Sequence, residues 1–161
     1  MLRALGRIIS FLVLAVALFV GWSFLQDYKA RAFIRPSIAA IFKRWDFDEL
    51  KRLSSTKLRA NPVFENQGQA MMYAMAQVLG PIKNADEPAG TAGFAFDTRN
   101  ASADQGTQGS YVVHAYFERG EAEIQIRVVR ESGLWRIANF KVNSAQFRGN
   151  PLMQPRPRDT I

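Results

Sequence analysis

The sequence predicts an α+β protein: one N-terminal transmembrane helix, then a small domain of about three helices packed on an antiparallel sheet of about four strands. Three observations carry this. An uncharged apolar run fills residues 8–25, apolar residues recur at helical spacing from 36 to 79, and they recur at strand spacing from 94 to 142. The chain of 161 residues divides accordingly into a membrane anchor and juxtamembrane segment over 1–35, an α+β domain over 36–147, and a flexible Pro/Arg tail over 148–161. The middle part has the size of one ordinary domain.

The first element reads IISFLVLAVALFVGWSFL. At ~1.5 Å rise per residue it spans ~27 Å, enough for the hydrocarbon of a bilayer. Ser10 and Ser23 are its only polar residues, and a serine hydroxyl can bond back to its own helix. Trp22 and Tyr28 mark the interface at its C-terminal end. Two readings compete with an anchor. A cleaved signal peptide is suggested by Ala30-Arg31-Ala32, although the run exceeds the roughly 7–15 residues of a usual signal core and the triplet lies in a charged stretch. A buried core helix would need protein on every side.

Charge placement bears on partners. The net charge is +7, yet residues 36–147 carry 13 Lys and Arg against 12 Asp and Glu. The excess sits beside the apolar run, at Arg3, Arg7, Lys29, Arg31 and Arg35 against Asp27, and in the tail. Cations there suit anionic headgroups, so the expected partner is the lipid bilayer through residues 8–25, with no nucleic acid. The absence of cysteine excludes disulfides, thiolate metal sites and cysteine nucleophiles.

In the domain, Pro36 suits a first helical position, and Ile38, Ile41, Phe42 and Trp45 follow as one stripe. A restart comes at Asp46 and Glu49, spaced as a capping box, with Trp45 and Leu50 as its hydrophobic staple. Asp46, Asp48 and Glu49 are read as first-turn acids rather than metal ligands. After the Ser54-Ser55-Thr56 break and Asn61-Pro62, a helix is expected over 66–79, with Ala70, Met71, Ala74, Met75, Val78 and Leu79 on one side and Gly80-Pro81 as its stop.

The period then becomes two. Phe94 and Phe96 open the first strand. Tyr111, Val113, Ala115 and Phe117 form the second, and Ala122, Ile124, Ile126 and Val128 the third. The fourth starts at Trp135 and Ile137 and continues to Val142. Arg119-Gly120 and Ser132-Gly133 are hairpin signals, giving a meander. The apolar set shifts by three between Ile137 and Phe140, which predicts a bulge near Ala138 and Asn139. Residues 99–109, RNASADQGTQG, read as a loop.

Helices followed by a meander closing on Gly133-Leu134-Trp135-Arg136-Ile137 resemble the NTF2-like (cystatin-like) superfamily, whose last strand often begins G-x-W-x-I. The anchored arrangement is similar to membrane-anchored bacterial envelope proteins with that fold and, more loosely, to the bridging subunit of type IV secretion systems. The resemblance implies a cone of helices over a curved sheet, an inner-membrane location with the N-terminus cytoplasmic and the domain periplasmic, and use of the concavity for ligand, catalysis or core.

Three functions follow as expectations. The first is a non-catalytic binding or assembly module of the cell envelope, with an envelope protein or a second copy as partner. The second is a carrier of a small apolar ligand, its pocket lined by Met71, Met75, Phe94 and Phe96. The third borrows from NTF2-like isomerases and dehydratases, pairing an acid or base with a tyrosine; Asp97, His114, Tyr111 and Tyr116, with Tyr73, supply the residue types. His114 is the single histidine, and no Walker loop, dinucleotide fingerprint, G-x-S-x-G or H-E-x-x-H motif occurs, so no cofactor or metal is expected.

Overall fold

The computed structural model of the chain describes residues 2–95 and 106–148. It is α+β, with a long N-terminal helix, three shorter helices and an antiparallel sheet. Helix α1 (Leu2–Arg44) is long and apolar enough to cross a membrane, and its positions 10–22 are exposed on all sides.

α1 does not restart at Pro36 but runs through it. Proline removes the N–H that would reach the Ala32 carbonyl. One residue on, the buried Ser37 hydroxyl donates to the Phe33 carbonyl at 2.7 Å, adding a bond beside the gap. What holds the helix together there is burial: Ala30, Ile34, Ile38, Ile41 and Phe42 form one stripe against the sheet. This stripe begins before residue 36, so the soluble core starts inside the segment read as juxtamembrane. α1 ends because Trp45 adopts a left-handed conformation, φ +53°, letting the Asp46 N–H bond the Ile41 carbonyl at 2.9 Å. The Trp45 ring stacks on Phe117 at 5.5 Å, and its indole N–H donates to the Gly80 carbonyl at 2.7 Å.

Helix α2 (Phe47–Leu53) begins as expected, with Asp46 Oδ1 accepting the Glu49 N–H at 2.9 Å. Only half of the capping box forms, because the Glu49 carboxylate pairs with Arg52 instead. A short α3 (Thr56–Arg59) follows the buried Ser54 and Ser55. The Ser55 N–H donates to the Ile137 carbonyl at 2.8 Å and pins these helices to the last strand. Helix α4 (Pro62–Leu79) begins earlier than residue 66, with Asn61 as cap and Pro62 in the first turn, where its missing N–H costs nothing. It buries Phe64, Met72, Met75 and Leu79, whereas Met71 is exposed, so the expected stripe is rotated toward Met72.

Among the described residues the sheet has five strands, where about four were expected. β1 (Ile82–Ala85) and β2 (Ala89–Ala95) both pair with β3 (Gly106–Phe117), β1 opposite its last residues and β2 opposite Gly106 to Val112. They occupy one lane, interrupted at 86–88. Beyond β3 come β4 (Gly120–Glu131) and β5 (Leu134–Asn143), and a 3₁₀ turn (Ala145–Phe147) closes the described chain. The loop expected over 99–109 is shorter, since residues 106–109 pair in β3; the rest of it lies outside the described residues. Both hairpins form. At Ser132-Gly133 the two φ values, +48° and +83°, are those of a type I′ turn. The bulge also forms: Arg127 pairs with Asn139 and Val128 with Ile137, leaving Ala138 as the extra residue.

One face of the sheet carries the core, with Tyr111, Val113, Ala115 and Phe117 beside Ala122, Ile124, Ile126, Val128, Trp135 and Ile137, all against the helices. The other face, with His114, Tyr116, Gln125, Arg127 and Lys141, is open to solvent.

Candidate functional site

The most organised polar cluster joins α1 to the sheet just after the apolar run. Asp27 and Arg31 lie one turn apart, so their side chains project from the same side of α1. Asp27 Oδ2 accepts the Arg31 Nε–H at 2.8 Å, and Oδ1 accepts two donors, the Tyr111 hydroxyl at 2.6 Å and the Ala92 N–H at 3.1 Å. The Arg31 guanidinium also donates to the Pro88 carbonyl and, at 2.7 Å, to the Gly90 carbonyl, and it lies 5.6 Å from the centre of the Tyr111 ring. β2 is the outer strand, so the Gly90 carbonyl and the Ala92 N–H would otherwise form an open edge. The Asp27–Arg31 pair covers that edge with one acceptor and one fork of donors.

Local sequence makes this approach possible. At Gly90, φ is +155° and a Cβ would sit 2.1 Å from the Ser110 carbonyl oxygen. Only glycine lets β2 lie this close to β3 beneath the guanidinium. Next to the clamp, Arg130 donates to the buried Gln26 side chain at 3.2 Å and to the Gly133 carbonyl, joining the β4–β5 hairpin to α1 as well.

The electrostatics hold the cluster in one protonation state. Burial raises the Asp27 carboxyl, but the Tyr111 hydroxyl, the Arg31 guanidinium and the Ala92 N–H together outweigh it and keep the group below the usual carboxylate range. Burial, the hydrogen bond to Asp27 and its charge push the Tyr111 phenol up, against the smaller opposing effect of Arg31. Tyr111 thus stays a donor and Asp27 an anion across ordinary pH, which suits a clamp and not a proton relay.

Among the described residues, the candidates for catalysis divide between the two faces of the sheet: His114 and Tyr116 share a hollow on the open face, away from Tyr111. Tyr111 faces the helices. His114 and Tyr116, of opposite parity on β3, face solvent, where His114 stands in register with Glu123. The Tyr116 hydroxyl points to Asp86 at 3.4 Å, and the Asp86 charge, ahead of burial, raises it. Tyr73 is exposed on α4, and Asp97 lies outside the described residues. Among the described residues, the apolar candidates Met71, Met75 and Phe94 differ in burial and line neither the groove beside Arg35 nor the hollow beside His114. Met75 is in the core, Met71 and Phe94 are about half exposed at 52% and 51%, and Phe96 lies outside the described residues. The third turn of α4 supplies Met72, not Met71, to the interior because α4 starts at Pro62 and packs its Phe64 side inward.

Two surface hollows stand out. A groove of 380 Å³ runs between α1, at Arg35, Ile38 and Ala39, and β1 with the turn after it, at Ile82, Lys83 and Glu87. Arg35 pairs with Glu87 across it. A smaller hollow of 220 Å³ lies on the open face beside His114, Tyr116, Glu121 and Asn143. Among the described residues no three His, Asp or Glu stand close enough to hold a metal ion.

Sequence reading used Asp27 and Arg31 only as flanking charges. Their signal was present: Asp27 is the first acid in the chain, directly after the apolar run and four residues before an arginine. Their partner strand could not be read, since β2 from Ala89 to Gly93 is alanine, glycine and threonine with no alternation.

No family model, curated protein or solved structure matches this chain. The class that fold and site define is an α+β domain continuous with an apolar helix long enough to cross a membrane. An Asp–Arg–Tyr clamp at the end of the apolar run fastens the two.

Proposed function

We propose that this chain is a membrane-tethered, non-catalytic binding or assembly module of the bacterial cell envelope, built on an NTF2-like architecture. Residues 8–25 anchor it in the inner membrane, with the N-terminus cytoplasmic and the domain periplasmic. The observation that carries this reading is the clamp. It commits the partly buried Asp27–Tyr111 pair to fastening the sheet to the anchor, both Asp27 oxygens already accepting from donors of this chain. The result is a domain held at a defined orientation beside the bilayer, where tethering raises its effective concentration toward membrane neighbours. The groove between α1 and β1 offers such a neighbour an apolar floor at Ile38, Ile82 and Val113, with charges at its rim. A second copy of the chain or another envelope protein fits that chemistry.

The test is site-specific photocrosslinking in intact membranes, with the probe at Lys83 in the groove and a comparison probe at Gln125 on the open face. A discrete protein adduct from Lys83 and not from Gln125, identified by mass spectrometry, is the expected result. An adduct of twice the chain mass identifies a homodimer. Equal labelling at both positions, or no protein adduct from either, overturns the proposal. Labelling of a cysteine placed at Gln125 by an impermeant thiol reagent from the periplasmic side only is expected for the stated orientation.

A further inference from the structure

We infer that the end of the sheet carrying Phe94 and Leu134 is a lipid-contacting surface seated in the headgroup layer of the leaflet from which the domain emerges. This rests on the anchor reading above and adds a second attachment to it. The argument is one of level along α1. Phe117 packs on Phe42 and Trp45 near the C-terminal end of α1, while Tyr111 meets Asp27 near the end of the apolar run. β3 therefore points away from the bilayer, and its antiparallel partners β2 and β4 run back toward it.

How far they run is set by two hydrogen bonds. The Ala92 N–H is fixed to Asp27, which lies two residues, or ~3 Å, past the apolar run. Phe94 is two strand residues further toward the bilayer, ~6–7 Å along the strand and still ~5 Å if the strand is tilted by ~45°. Arg130 is fixed to Gln26, one residue past the run, and the chain continues from it through the Ser132-Gly133 turn to Leu134. Both ends thus come level with the last turn of the apolar run. Protein cover confirms the overlap: Ser23, inside that run, is half-buried, and Gln26 is 2% exposed. A headgroup layer is ~5–7 Å thick on each side, so this end of the sheet has no room to stand clear of it.

The side chains there suit that layer. Phe94 and Leu134 are exposed at 51% and 58%, and Tyr28, 71% exposed on α1, adds an amphipathic ring one residue past Asp27. Arg130 and Lys29 are exposed at the same level, where an apolar stem lies along the acyl boundary and the charge reaches phosphate. Away from this end the open face of the sheet carries His114, Gln125, Arg127 and Lys141, which suit water.

The chain has no cysteine, so single cysteines can be introduced without background. The full chain is reconstituted into vesicles of phosphatidylcholine and phosphatidylglycerol, with an NBD fluorophore at Leu134→Cys or Phe94→Cys. Lys83→Cys, at the far end of the sheet, serves as the aqueous reference, and Val16→Cys as the anchor control. All four side chains are exposed, and the circular dichroism of each labelled variant against the parent checks that the fold is kept. The expected result is quenching by doxyl-labelled lipid about twofold or more above the Lys83 position, with matching protection from iodide, at both 94 and 134. If 94 and 134 behave like 83 while Val16 is lipid-quenched, the surface contact is wrong and the anchor stands. If Val16 is also open to iodide, the anchor reading falls and this inference with it.

Discussion

Residues 10–25 and residues 26–44 belong to one unbroken helix, yet they are written for different solvents. The first stretch is apolar on every side and exposed on nearly every side; the second is apolar along one stripe, which is buried, and charged on the rest. The change falls within one turn, at Gln26 and Asp27, where the first domain contacts are made. It teaches that helicity itself is indifferent to the medium. The distribution of side chains around the axis decides where a helix lies.

The largest way to break this contrast is to make the same kind of truncation in each half. Ile34→Ala should cost about 3–4 kcal/mol of domain stability, since Ile34 is fully buried against the sheet, whereas Val16→Ala should change it by less than about 0.5 kcal/mol. Denaturant unfolding in micelles, followed by tryptophan fluorescence, measures both. Equal effects would show that the halves share one environment.

Next is the junction. Asp27→Ala leaves the Tyr111 hydroxyl, the Arg31 guanidinium and the Ala92 N–H without their acceptor, and a loss of about 2–3 kcal/mol is expected in the same assay. The pH dependence follows from the shifts. Asp27 is lowered in the folded state, so its contribution is present above the unfolded carboxylate value and fades as pH falls through the folded one. Tyr111 is raised, so its contribution holds below the unfolded phenol value of about 10 and is lost as pH rises through the folded one. Asp27→Asn should therefore flatten the acid limb of a stability–pH profile; an unchanged limb would remove Asp27 from the account.

A smaller effect, of opposite sign, sharpens the picture of α1. Pro36→Ala restores an N–H to the Ala32 carbonyl on the exposed side of the helix and should raise stability by about 1–2 kcal/mol, read as a higher melting temperature. A fall would mean that the proline sets a helix direction the packing needs. Smallest of all, His114→Ala on the open face should stay within about 0.5 kcal/mol of the parent.

What could be read from sequence tracks how strongly each segment is patterned. β3, β4 and β5 alternate large apolar with polar residues, and both hairpins and the bulge at Ala138 were legible in that alternation. β1 was not, and β2 was read only at its Phe94 end, because IKNA and the AGTAG stretch owe their place to β3 and to the clamp rather than to side chains of their own. Pro36 misled for a physical reason: local propensity argues for a break, and a buried stripe on either side of it overrides propensity. In the site, Tyr111 was found by residue type but its partner Asp27 was not, because the two lie 84 residues apart in the chain. Spacing along a strand tells which face a side chain takes, not what another element brings to it.

The direct passage of α1 from apolar run to clamp has a geometric corollary. With no linker to absorb a change, each residue added between Leu25 and Gln26 turns the whole sheet about 100° around the helix axis and lifts it ~1.5 Å. Adding three or four residues nearly restores the bearing, while adding two points the groove to the opposite side. The direction in which this domain looks, among its neighbours in the plane of the bilayer, is thus a matter of helical phase.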